Sequence, residues 1–226
     1  IGAASNNNLG ITGMMWSGKI LPVRVLGTGG GTQFDILSGV YWALGDDEVT
    51  GVPENTTPAR IINLSLGGSV DSATYEAWQG EISYIFSQET QYGKPIIIAA
   101  AGNEDQDVAN ITPANIDSLI TVGAFKFDGL RASYSNWGQY VDIMAPGGLT
   151  SVDQNGDGQP DGIYSFYGTD YRWEHGTSMA TPHISGILGL ALAVNPGLNQ
   201  EQAQQLLYDT ADQTGQSDWR GTDVKR

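Results

Sequence analysis

The chain has 226 residues, of which 40% are hydrophobic, enough to bury one substantial core and short for two independent ones. Twenty-five acidic residues against ten basic ones give a net charge of −15, which disfavours binding to nucleic acid or to anionic membranes. Cysteine is absent, so disulfides and thiolate metal sites are excluded, and no run approaches the roughly 20 apolar residues of a membrane span.

Residues 19–26, KILPVRVL, form a short branched apolar run closed by glycines 27 and 29–31, and predict a buried strand and turn. Phe34, Leu37, Val40, Tyr41 and Leu44 recur at helical intervals before Gly45, with Gly39 an unfavourable insertion. Residues 60–66, RIINLSL, predict a second strand. An amphipathic helix follows over 73–92, with Tyr75, Trp78, Ile82, Ile85 and Phe86 on one face. Residues 95–101, PIIIAAA, predict a third strand, and 119–124 and 140–144 two more. Helices over 177–195 and 199–211 complete the series. Strands that are apolar throughout and alternate with helices imply an α/β fold, a parallel sheet covered on both faces. The whole chain, 1–226, reads as one domain.

The segment 173–186, WEHGTSMATPHISG, places Ser178 where a glycine turn becomes a helix. Unpaired N–H groups and the positive end of the helix dipole converge there, suited to negative charge developing on a substrate. A Gly-Thr-Ser helix cap alone would also explain the tripeptide. Residues 99–103, AAAGN, end a buried strand with an amide side chain at the carboxyl edge of the sheet, where ligands gather in such folds. An Asx turn is the simpler account of Gly-Asn in isolation. Residues 153–161, DQNGDGQPD, set Asp153, Asn155 and Asp157 at alternating positions before Gly158 and Asp161. This order matches the first half of a calcium loop, although Tyr164 stands where a closing glutamate belongs; a solvated acidic turn is the alternative.

GTSMATPHISG resembles the nucleophile motif of the subtilisin-like serine proteases, PIIIAAAGNED their oxyanion segment, and NLSLGG at 63–68 their substrate-pairing edge. The resemblance implies their three-layer architecture, here truncated at both ends. It gives Ser178 the role of nucleophile, Asn103 that of oxyanion donor, and His183 a structural one. Ser65, Leu66 and Gly67 would contact an extended peptide, with Ala100, Ala101 and Gly102 as the opposite pocket wall and Ile111 near its floor.

A serine nucleophile needs a base, and the base an orienting acid. His175 lies three residues before Ser178 and His183 five after it, and neither is suitably placed along the chain. The start of the chain resembles the stretch just after the family's catalytic histidine, so both triad partners would precede Ile1 on a missing N-terminal segment, and the chain alone would be inactive. The resemblance further implies secretion and a prodomain or protein inhibitor as partner, and the loop spacing at Asp153, Asn155, Asp157 and Asp161 predicts a structural calcium ion there. A non-catalytic peptide-binding scaffold is the rival expectation.

Overall fold

The computed structural model describes residues 1–46, 49, 51–88 and 93–212. In chain order the elements are α1 (Gln33–Leu44), β1 (Ile61–Leu64), α2 (Ser72–Ser87), β2 (Ile96–Ala100), β3 (Ile120–Phe125), β4 (Ile143–Pro146), β5 (Ile163–Tyr167), β6 (Asp170–Glu174), α3 (Thr177–Val194) and α4 (Gln200–Thr210). The first four strands form one parallel sheet in the order β1-β2-β3-β4, with Leu64 opposite Ala99, Ile98 opposite Ile120 and Val122 opposite Ile143. A parallel sheet needs cover on both faces, and β2 shows how the sequence supplies it. Ile97 and Ala99 point to one side, where Val40 and Leu44 of α1 and Trp78 and Ile82 of α2 pack. Ile96 and Ile98 point to the other, against Ala180, Ile184 and Leu188 of α3 and Ala203 and Leu207 of α4. Each fully buried isoleucine contributes roughly 1.5–3 kcal/mol.

The helix ends follow their local chemistry. Thr32 caps α1 in a reciprocal box with Asp35, and Gly45 closes it in the left-handed conformation. Asn199 and Gln202 form the same box on α4. Just inside α4, buried Gln200 accepts from the Ile97 N–H at 2.9 Å and donates to the Ile97 and Ser118 carbonyls, pinning the helix to the foot of the sheet. Although α3 is apolar over 18 residues with mean hydropathy 1.3, it lies across the sheet.

Three expectations need correction. Residues 19–26 join no ladder, and among the described residues β1 pairs only with β2. Leu21, Val23 and Val25 are half-buried on the α1–α2 core while Pro22, Arg24 and Leu26 are exposed, so the run alternates like a strand without a hydrogen-bonded neighbour. That packing explains Gly39 within α1: a Cβ there would lie 2.3 Å from Cγ1 of Val25. β4 begins at Ile143 rather than 140, because Val141 closes a turn onto the Gly138 carbonyl. α2 ends at Ser87, and residues 89–92 of the expected helix lie outside the described residues.

The sequence reading did not anticipate the β5–β6 hairpin, joined through Gly168 and Thr169. Its signal was present as alternating aromatics. Tyr164 and Phe166 lie opposite Trp173 and Tyr171 on one face, with ring centroids 4.8 and 4.5 Å apart. The hairpin delivers the chain directly into the turn before α3.

Candidate active site

The N-terminus of α3 sits over the carboxyl ends of the parallel strands. Ser65 follows the last residue of β1, Gly102 and Asn103 follow β2, and Gly147 follows β4, where its carbonyl accepts from the Gly176 N–H at 3.0 Å. Gly176, at φ +144°, is the N-cap of α3, Thr177 its first residue and Ser178 its second. The segments expected at 63–68 and 99–103 therefore meet the Ser178 turn at one edge of the sheet, and Gly147, which the sequence did not single out, joins them.

Asn103 is fixed by Thr177. Its side-chain oxygen accepts from the Thr177 backbone N–H at 2.8 Å and from the Thr177 hydroxyl at 3.1 Å, while that hydroxyl accepts from the Gly102 N–H at 3.1 Å. This pairing commits the Asn103 oxygen to Thr177, the residue before Ser178, and leaves its amide nitrogen out of that pair. Behind it, fully buried Asn136 accepts from the Glu104 and Gln106 N–H groups and donates to the Ala101 carbonyl and the Glu104 carboxylate. The same Glu104 oxygen accepts from the Asn103 N–H at 2.9 Å. Gly102 is required by both backbone and space: its φ is +98°, and a Cβ would meet the Asn136 amide nitrogen at 2.3 Å.

Ser178 is held on its other side by Ser65. The Ser178 hydroxyl donates to the Ser65 carbonyl at 3.3 Å, and the Ser65 hydroxyl donates to the Ser178 carbonyl at 3.0 Å. Ser65 in turn accepts from the Asn63 amide, whose oxygen accepts from the Ser185 hydroxyl, so a relay of polar groups joins β1 to the first three turns of α3. Thr177, Asn63, Asn136, Glu104 and Ser185 were all missed by the sequence reading. Thr177, Asn63, Glu104 and Ser185 lie within the quoted motifs, but their partners sit 32 to 122 positions away, and Asn136 lies outside every motif.

The remaining expected substrate-contacting positions divide. Leu66 is half-buried and Gly67 exposed, whereas Ala100 and Ala101 are buried, so of the facing segment 100–102 only Gly102 is partly open to solvent. Ile111 is buried with Ala101 in a third apolar cluster, and its Cγ2 lies 3.5 Å from where a Cβ on Gly67 would stand.

Neither histidine hydrogen-bonds to Ser178. His175 Nδ1 pairs with the Thr150 hydroxyl at 2.7 Å and its ring packs on Tyr134. His183 donates from Nδ1 to the Met179 carbonyl at 2.8 Å, and burial holds its pKa below the ordinary value despite that bond. Both are structural neighbours of the turn that carries Ser178.

The acidic loop gathers Asp153, Asn155, Asp157 and Asp161 in one turn. Asp153 accepts from the N–H groups of Gly156, Asp157 and Gly158, Asn155 and Asp157 each accept from a backbone N–H two residues on, and Asp161 accepts from that of Gln154. Among the described residues no three acidic or histidine side chains converge at metal-ligand range. As folded, the side chains alone do not form the six- to eight-oxygen shell that calcium requires.

The Subtilase family model matches residues 1–222. The Extracellular basic protease of Dichelobacter nodosus is 36% identical over 211 residues, covering 92% of this chain and 32% of that protein. Subtilisin E of Bacillus subtilis is 32% identical over 223 residues, covering 97% of this chain and 50% of that one. A solved structure described as proteases from Pseudoalteromonas arctica superposes with a TM-score of 0.79 at 34% identity, over 93% of this chain and 61% of that one. The chain thus spans about a third to a half of the length of these curated relatives. With the family model matching nearly the whole chain, and with Ser178, Asn103 and the β1 edge gathered at one end of the sheet, the chain belongs to the subtilase family.

Proposed function

We propose that this chain is the nucleophile-bearing part of a secreted, subtilisin-like serine endopeptidase. Ser178 attacks a peptide carbonyl, and the Asn103 amide and the Ser178 N–H receive the oxyanion. The observation that supports this reading is the clamp of Thr177 on the Asn103 oxygen, which fixes that side chain one residue from a serine at a helix N-terminus and leaves its amide nitrogen out of the pair. Substrate lies extended along Ser65 to Gly67, its backbone pairing with that edge whatever its sequence.

The proton on Ser178 passes to a histidine supplied by a separate segment, oriented by an aspartate from the same source, since His175 and His183 are both engaged elsewhere. That segment is one partner in this reading, and a prodomain or protein inhibitor is another. Names of extracellular relatives support secretion. Calcium at residues 153–161 is proposed on the DxNxDG spacing alone, as a structural ion outside the reaction.

The test is mass spectrometry after exposure to a fluorophosphonate, with and without a polypeptide carrying the family's histidine and aspartate motifs. The reading expects an adduct on Ser178 and peptide hydrolysis only with that polypeptide. The positions of His175 and His183 favour a second reading, a peptide-binding scaffold without catalysis. It expects peptide binding and no adduct under either condition.

A further inference from the structure

The turn that carries Asn103 is shaped from outside itself, by residues 134–137. Asp105 donates its N–H to the Tyr134 carbonyl at 2.9 Å, Asn136 its own to the Gly102 carbonyl at 3.0 Å, and Trp137 its own to the Gln106 carbonyl at 3.1 Å. Between these backbone bonds the Asn136 side chain fills the inside of the turn. Its oxygen accepts from the N–H groups of Glu104 at 3.1 Å and Gln106 at 3.0 Å, and its amide donates to the Ala101 carbonyl at 2.8 Å and to Glu104 Oε2 at 2.7 Å. A carboxamide offers two donors and two lone pairs, and all four are used here. Asn136 is fully buried, so these bonds are made away from water, where they are strong and where losing one leaves a costly unpaired group.

Gly102 and Asp105 both sit at positive φ, +98° and +49°, on either side of Asn103 and Glu104, a succession of conformations that a free chain seldom holds. The residue that imposes it is itself fixed to the sheet. Buried Ser135 accepts from the Ala124 N–H of β3 at 3.0 Å and donates to the Asn136 carbonyl at 3.1 Å. Asn103 is therefore held between β3, through Ser135 and Asn136, and α3, through Thr177. Glu104 is the link on the β3 side, since the oxygen that accepts from Asn136 also accepts from the Asn103 N–H at 2.9 Å.

From this arrangement we infer that Asn136 is a positioning residue for the side chain assigned to the oxyanion: acting through Glu104 and the 101–106 backbone, it fixes where Asn103 stands against Thr177. Its effect on rate rests on the proposed function; its effect on the placement of Asn103 does not. Asn136 is buried beyond the reach of substrate, yet a shift of about 1 Å in a group that must meet developing charge can cost about 10²-fold in rate.

The experiment measures amide hydrogen exchange in the 226-residue chain and its Asn136→Ser variant. The Thr177 N–H, which donates to the Asn103 oxygen, is expected to exchange about 10-fold or more faster in the variant, while Ile98 and Ile120 in the paired strands β2 and β3 keep their rates. Asn103→Ala should raise the Thr177 rate by itself, and adding Asn136→Ser to it should add nothing. Unchanged Thr177 exchange in a folded Asn136→Ser chain overturns the inference, as does an equal rise at Ile98 and Ile120, which would mark a general loosening. If Asn136→Ser does not fold, Glu104→Ala, a change at an exposed residue, decides in its place. It should speed Thr177 exchange, and Glu104→Gln, which keeps an acceptor oxygen, should restore it; no rise in Glu104→Ala overturns the inference. With the polypeptide that supplies base and acid, Asn136→Ser should lower turnover by about 10- to 10²-fold at unchanged KM. The same change should cost nothing further in the Asn103→Ala chain, and an additive loss there also overturns the inference. Exchange needs neither base nor substrate. Absence of turnover in the unaltered chain would therefore refute the proposed function, while the exchange rates still decide whether Asn136 places Asn103.

Discussion

The Ser65 hydroxyl donates to the Ser178 carbonyl, and the reason that carbonyl is open lies four residues on, at Pro182. A helical carbonyl at position 178 would ordinarily receive the N–H of residue 182, and proline has none. Ser65 substitutes for the absent donor from another strand, so Pro182 is accommodated in α3 and ties the nucleophile turn to β1. Replacing Ser65 by alanine leaves the carbonyl and the Asn63 amide without this partner. A loss of about 1–3 kcal/mol in unfolding free energy is expected by denaturant titration. Adding Pro182→Ala to the Ser65→Ala protein should recover part of that loss, since the new N–H can reach the carbonyl; no recovery would count against this account.

Asn103 gives a prediction about rate. Its side chain is exposed and its amide nitrogen is left available by the Thr177 clamp, so Asn103→Ala removes a donor while Glu104 and Asn136 continue to hold the loop. If a separate segment supplies the base and acid of the proposed function, turnover should fall by about 10²- to 10³-fold with little change in KM, the usual cost of removing one oxyanion donor. A parallel rise in KM with unchanged turnover would assign Asn103 to substrate binding instead.

Much of the architecture was legible because it depends on local periodicity. The all-apolar run at β2 and the stripes of α1 and α2 announced a covered parallel sheet, and the motif at 176–186 located the glycine turn that opens α3. The run at 19–26 misled for an instructive reason: its alternation reports a core below it, which Leu21, Val23 and Val25 do touch, but alternation carries no information on whether a neighbour pairs with the backbone. Support around the site was illegible for the opposite reason. Asn136 reaches Glu104 across 32 positions, and Ser65 reaches Ser178 across 113, so only folding makes neighbours of them.

The acidic loop yields a direct metal test. If calcium binds at 153–161, addition of the ion to chelator-treated chain at about 100 times its dissociation constant should stabilise it by about 2.7 kcal/mol, raising Tm by several degrees for a chain of this size. Asp157→Asn should reduce that shift, because position 157 supplies one of the alternating oxygens. A Tm indifferent to calcium would leave the residues as the closed turn seen here, in which Asp153 already accepts three backbone N–H groups.

Asp142 makes stability depend on pH in a direction opposite to that of most paired carboxylates. Burial raises its pKa from 3.8 to about 6, outweighing the hydrogen bonds it accepts from the Thr121 N–H, Tyr208 and Gln204, with the charge of Asp117 adding to the rise. Between about pH 4 and 6 the folded chain holds this proton while the unfolded chain has lost it. The contribution is therefore full below pH 4 and disappears as pH rises through 6. At 1.36 kcal/mol per pH unit, the interval from 3.8 to about 6 amounts to a loss of about 3 kcal/mol. Asp142→Asn keeps the shape and cannot ionise, and the Tyr208 hydroxyl and Gln204 amide can reverse to meet its nitrogen. Denaturant titrations of both proteins at pH 4 and pH 8 should show the variant gaining up to about 3 kcal/mol relative to the parent on going to the higher pH. A constant difference between them would mean that α4 is docked through an Asp142 that titrates normally.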